Sequence, residues 1–127
     1  MLKRTVLVVV CAAAILAFTA SALAAGVRST VTIDEFSSGG SPDYFIGQVK
    51  SPRRKCEVGR RVTLYRTGEM GQFEIGSDRT ARSKGDKAIW VIEQDMPEAG
   101  TFVAKVKRQR KGPTTCRRDR SPDFPLN

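Results

Sequence analysis

Residues 75–106 read IGSDRTARSKGDKAIWVIEQDMPEAGTFVAKV, and the fold class turns on how this stretch is parsed. Val, Ile, Trp and Phe gather in two runs, 88–93 and 101–107, while Gly, Pro, Asp and Ser gather between and before them. Runs of that length, bounded by turn formers, predict β-strands. A polar turn at Ser83-Lys84-Gly85-Asp86 leads in, and Pro97-Glu98-Ala99-Gly100 is expected to join the two strands as a hairpin. Side chains alternate along a strand, so Phe102, Ala104 and Val106 share one face and Val103, Lys105 and Lys107 the other. A two-stranded hairpin with one apolar side is marginal in water. The rest of the chain must cover it.

Four further runs flank this stretch. In 27–36, Val31 and Ile33 alternate with Thr32 and Asp34, and the glycine- and serine-rich segment 37–43 follows as a loop. Residues 44–50 carry Phe45 and Val49 with Gly47 between them, and a glycine inside a strand signals close backbone approach or a bulge. Residues 61–66 place Val62 and Leu64 inward and Thr63 and Tyr65 outward. After a turn from Gly68 to Gly71, residues 73–76 offer a short strand with Phe73 and Ile75 on one face. The run 88–92 is apolar on both faces, which predicts a central strand with Trp90 in the core. The end of the chain, GPTTCRRDRSPDFPLN, holds three prolines and few strand formers, so it reads as a tail loose beyond Asp119. Many short strands and no helical period predict an all-β chain: an antiparallel Greek-key sandwich of about seven strands, or a small barrel.

The first residues read as an address. Lys3 and Arg4 precede an apolar run over 6–16, and Ala22 and Ala24 fit a peptidase site, giving a signal helix in a leader over 1–24. An uncleaved anchor is the alternative, since 6–25 is long enough to span a bilayer; cleavage leaves no membrane span. The sandwich is then expected over 25–111, with a basic tail over 112–127. Cys11 departs with the leader, leaving Cys56 and Cys116 as an even pair in an oxidising compartment, which predicts a disulfide. Closing a loop of about sixty residues contributes roughly 4 kcal/mol in the chain-entropy account. Two free thiols or half of a metal site are the other readings of the pair. The chain has no histidine, and Asn127, its only asparagine, forms no glycosylation sequon.

Several of these segments resemble a family. Gly47-x-Val49, the strand Gly59-Arg60-Arg61-Val62-Thr63-Leu64-Tyr65-Arg66, the segment from Thr80 through Gly85 to Trp90-x-Ile92, and Ala99-Gly100-Thr101-Phe102-Val103-Ala104 occur in that order. Together, over about residues 45–106, they resemble the transthyretin-like, carboxypeptidase-regulatory-like β-sandwich of small secreted bacterial proteins. Phe102 stands where tyrosine is common in that family, and the terminal strand expected after Cys116 is poorly supported. The resemblance implies a sandwich of seven or eight antiparallel strands, non-catalytic and serving structure or binding. It implies no ligand.

Chemistry is constrained by what is missing. With no histidine and both remaining cysteines bonded, Ser–His and Cys–His pairs are excluded. Carboxylate pairs remain, Glu93 with Asp95 or Asp78 with Asp86, but a sandwich this small rarely builds the cleft they need. A calcium site from Asp78, Asp86 or Asp95 lacks any loop signature. No catalytic residue, cofactor or metal is expected.

The cations give the sharpest signal. The chain carries 22 Lys and Arg against 13 Asp and Glu, and loses only Lys3 and Arg4 with the leader. Arg53, Arg54, Lys55, Arg60 and Arg61 surround Cys56 with only Glu57 against them. Lys107, Arg108, Arg110, Lys111, Arg117, Arg118 and Arg120 surround Cys116 with only Asp119 against them. If the cysteines are joined, the two clusters converge into one anion-binding end. The expected role is structural or adhesive at the cell envelope, outside the cell, with an anionic cell-surface polymer or acidic polysaccharide as partner. A small carbohydrate-active or hydrolytic accessory protein is the alternative. The windows hold no aromatics interleaved with the charge, so there is no specific nucleic-acid motif. Tyr65 is the one credible surface aromatic.

Overall fold

The computed structural model describes residues 26–127, and the leader expected at 1–24, with its signal helix, lies outside them. The described residues are all-β, in antiparallel sheets, with one turn of 3-10 helix at Arg54–Cys56. The strands are β1 (Thr30–Ser37), β2 (Tyr44–Lys50), β3 (Arg61–Gly68), β4 (Gly71–Arg79), β5 (Ala81–Arg82), β6 (Ala88–Glu93), β7 (Gly100–Val106), β8 (Gln109–Lys111), β9 (Thr114–Cys116), β10 (Asp119–Arg120) and β11 (Phe124–Leu126). The first sheet runs β1-β2-β6-β5 and the second β10-β7-β3-β4, with β11 also paired to β7. β8 and β9 form a hairpin of their own.

The expected hairpin of 88–93 with 101–107 does not form. β6 pairs with β2 and β5, while β7 pairs with β3, β10 and β11, so the 94–99 link crosses from one sheet to the other. The physical reason is that each of these strands has a large apolar face to bury. Trp90 and Ile92 on β6 and Phe102, Ala104 and Val106 on β7 face a common core with Val31, Phe45, Val49, Val62 and Leu64. Separate sheets bury both sets against each other, whereas adjacency in one sheet would leave them side by side. Phe45 sits between the sheets, with ring centroids 4.7 Å from Phe36 and 4.6 Å from Phe102.

Two devices fix the register. Gly47 pairs with Trp90 across β2 and β6, and a Cβ there would lie 1.9 Å from the Thr32 carbonyl oxygen and 2.5 Å from the indole. The glycine lets the ring lie flat on the strand, and the indole is fully buried as core. Trp90 Nε1 has no acceptor among the described residues, so its ring serves as packing. The second device is Asp78. β4 leaves the second sheet, passes Thr80, and enters the first as β5. There the Asp78 carboxylate accepts the Val91 N–H at 2.8 Å, replacing a strand partner where β5 is too short to supply one.

Two expectations about the end of the chain are corrected. The count of about seven strands is exceeded because β5 and four short strands after Val106, β8 to β11, are added. The segment beyond Asp119 is not loose: Phe124, Pro125 and Leu126 pair with Phe102, Thr101 and Gly100. Phe124 meets Phe45 edge-on at 6.2 Å. The prolines are tolerated because this is a sheet edge, where an absent N–H breaks no ladder. The boundary expected at 111/112 falls in the turn of the β8–β9 hairpin.

Candidate functional site

The Cys56–Cys116 bond is present, with Cα atoms 5.3 Å apart across a sequence separation of 60. It ties the 3-10 turn to β9, and both cysteines are fully buried. The two basic windows are therefore brought to the same end of the molecule. Their side chains do not form one undivided patch, and they sort into three groups.

Arg60 is the first group by itself. It is 1% exposed, and its guanidinium donates to Ser29 Oγ at 2.8 Å, the Cys56 carbonyl at 3.0 Å, the Lys107 carbonyl at 2.8 Å and the Arg117 carbonyl at 3.0 Å. Burial lowers its pKa from the ordinary arginine value. An arginine stays protonated through such a shift, so this is a buried cation dispersed over neutral oxygens. The expectation that Arg60 binds external anions is corrected: its donors are directed inward, holding the N-terminal segment, the disulfide turn and the β7–β8 and β9–β10 links together. Its backbone N–H is held by Thr80 Oγ1 at 2.9 Å, which fixes the start of β3.

The second group lines a groove on the outer face of the second sheet. Tyr65 and Thr63 on β3 form its floor, with Lys105, Lys107, Arg108, Arg118 and Arg120 around them in a cavity of about 580 Å³. An adjoining cavity of about 450 Å³ shares Tyr65, Lys107 and Arg108 and adds Arg61 and Arg79. The strand register explains the clustering. Thr63 lies opposite Lys105, Lys105 opposite Arg120, and Arg61 opposite Arg79, so outward positions on four strands stack cations in rows. Lys105 Nζ stands 4.8 Å from the Tyr65 ring centroid and donates to Gln72 Oε1 at 3.0 Å. Two carboxylates lie along the groove. Asp119 is engaged, because its Oδ2 accepts the Val31 N–H at 2.8 Å and so ties β10 to β1; Glu74 lines the far side. Arg120 also contacts Asp123 at 3.3 Å.

The third group borders the disulfide. Arg53 and Lys55 are exposed, and Arg54 meets Asp86 at 3.2 Å. Arg110 and Arg117 are exposed, and Arg117 and Arg118 line a small polar cleft with Arg28. Lys111 is half-buried and donates to the Val58 carbonyl. Burial lowers its pKa, and the positive Arg60 and Arg79 lower it further.

Sequence reasoning missed Lys105 and Arg79. Lys105 was legible as an outward residue of its strand but lay outside a charge window that began at 107. Arg79 is hidden because the apolar alternation of the fourth strand ends at 76, whereas β4 continues to 79. The carboxylates considered for catalysis or calcium are dispersed. Asp78 holds Val91, Asp86 holds Arg54, and Asp95 Oδ1 accepts the Asp43 N–H at 3.0 Å. No cluster of three metal-ligating side chains occurs among the described residues. Nor is any helix among them long and apolar enough to cross a membrane. No family model, curated protein or solved structure matches this chain at a significant level.

Proposed function

We propose that the protein is exported and that its mature chain is a non-catalytic, transthyretin-like Greek-key sandwich with a structural or adhesive role at the cell envelope. Its groove around Tyr65 holds an anionic surface polymer such as an acidic polysaccharide. One observation carries this reading: seven cations gather along one continuous groove in which Asp119 is already engaged by Val31. Such a concentrated positive field draws polyanions and raises their local concentration. Guanidinium forks add directed bonds to carboxylate or sulfate groups. A half-buried tyrosine offers a flat apolar surface to a sugar ring once Lys105 turns toward an anion. The disulfide supports an oxidising location.

Binding of dextran sulfate, hyaluronate and neutral dextran to the oxidised protein, followed by calorimetry, tests the proposal. The two acidic polymers bind and the neutral one does not. Screening lengths shrink from about 10 Å at 0.1 M salt to about 3 Å at 1 M, so affinity falls steeply across that range. Equal binding to neutral dextran, or affinity indifferent to salt, would overturn the reading.

A further inference from the structure

The end of the molecule opposite the disulfide has the reverse character. The β1–β2 loop, the two-residue β3–β4 tip at Glu69 and Met70, and the 94–99 crossover all gather there. Met70 is 90% exposed and Met96 88%, the most open large apolar side chains among the described residues. Glu69 and Glu98 line the cavity at this tip together with Met70 and Phe73. Asp43, Glu93 and Asp95 lie on the neighbouring loops and strand ends. Arg66 is the cation nearby, and it is engaged with Glu98 at 3.1 Å. Acid and exposed methionine therefore stand at one end, while cation and half-buried tyrosine stand toward the other.

These two surfaces are complementary in sign and in chemistry. Carboxylates suit guanidinium forks, and a methionine thioether packs favourably against an aromatic ring. We propose that the Glu69-Met70 tip of one copy seats in the Tyr65 groove of the next, joining copies of this chain head to tail. The inference rests on the groove being an anion-binding surface, as in the preceding reading. Tip and groove are different surfaces, so the contact is heterologous, and it repeats into a ring or an open chain instead of stopping at a dimer. A polymer in the groove competes with the incoming tip, so polyanion shortens the assembly.

Sedimentation of the purified oxidised protein from about micromolar to about millimolar concentration tests this, a span covering weak to moderate interfaces. The average mass rises past that of a dimer with concentration. Glu69→Lys with Met70→Lys abolishes the rise, and Arg108→Glu with Arg118→Glu does the same. Mixing these two double variants restores assembly, because a lysine tip then meets a glutamate groove. Circular dichroism of each variant establishes that it is folded. A wild type that stays monomeric throughout would overturn the inference, as would assembly that persists in the tip variant. Dextran sulfate separates this proposal from the reading it rests on. The tip variant retains polymer binding, so a monomeric protein that binds polymer sinks the assembly alone. An assembling protein that ignores polymer sinks the polymer reading alone.

Discussion

Replacing Arg60 by methionine is the perturbation whose consequence follows most directly from the structure. The change keeps a long apolar stem of similar volume and removes the guanidinium. It orphans three carbonyl oxygens, those of Cys56, Lys107 and Arg117, together with Ser29 Oγ. Each hydrogen bond to a charged group contributes about 1.5–3 kcal/mol net, so the four together contribute about 6–12 kcal/mol. Against this stands the desolvation of a buried cation, several kcal/mol, which the substitution relieves. The difference is a loss of about 3–5 kcal/mol, comparable to breaking other buried charge networks. Guanidinium chloride unfolding of the oxidised protein, with m-values compared, measures it. Hydrogen exchange should quicken in the links 107–109 and 117–119 that the side chain holds. Arg60→Lys loses at least about 2 kcal/mol, since one ammonium cannot reproduce the planar fork. A loss below about 1 kcal/mol for Arg60→Met, or a gain, would refute the reasoning by showing that desolvation cancels the bonds.

Three other outcomes are expected. Cys56→Ser with Cys116→Ser lowers stability by about 4 kcal/mol for a loop of this length, and combining it with Arg60→Met gives less than the sum, because Arg60 is bonded to the Cys56 carbonyl; denaturation of the triple variant measures the coupling. Gly47→Ala costs about 3 kcal/mol or more, because the new Cβ meets the Thr32 backbone and the Trp90 ring at once; unchanged thermal unfolding would contradict it. Lys111 binds its proton less tightly folded than unfolded, so its charged form opposes folding. Stability relative to Lys111→Gln therefore rises as pH climbs from the lowered folded value toward 10.5, and a flat difference across that window would contradict it.

The all-β character was legible because alternation and turn residues are local signals, and the bounds of β2 and β6 followed from them directly. Pairing was harder. Sequence adjacency favoured a hairpin between 88–93 and 101–107, and only the demand to bury both apolar faces, a property of the whole core, separates them into two sheets. The tail hides its strands for a related reason. Pro122 and Pro125 argue against a central strand, yet Phe124 and Leu126 pack on the core along an edge where proline is harmless. The disulfide was legible once Cys11 is assigned to the expected leader, which leaves Cys56 and Cys116 as an even pair. The fate of Arg60 was not: its neighbours in sequence are surface cations, and nothing local distinguishes it from Arg61, which is exposed. The difference comes from strand alternation at the start of β3 and from the carbonyls that converge there from distant segments. The groove, likewise, needed the register of four strands before Lys105 and Arg79 could join it.

The proposed function requires that the groove, rather than overall positive charge, holds the polyanion. The decisive measurement is the affinity for dextran sulfate of two variants matched in charge. One carries Lys107→Glu and Arg108→Glu at the groove, and the other carries Arg53→Glu and Lys55→Glu beside the disulfide. The groove variant should bind at least about tenfold more weakly than the other, a difference of about 1.4 kcal/mol. Equal losses in the two would contradict the account, leaving only a diffuse cationic surface.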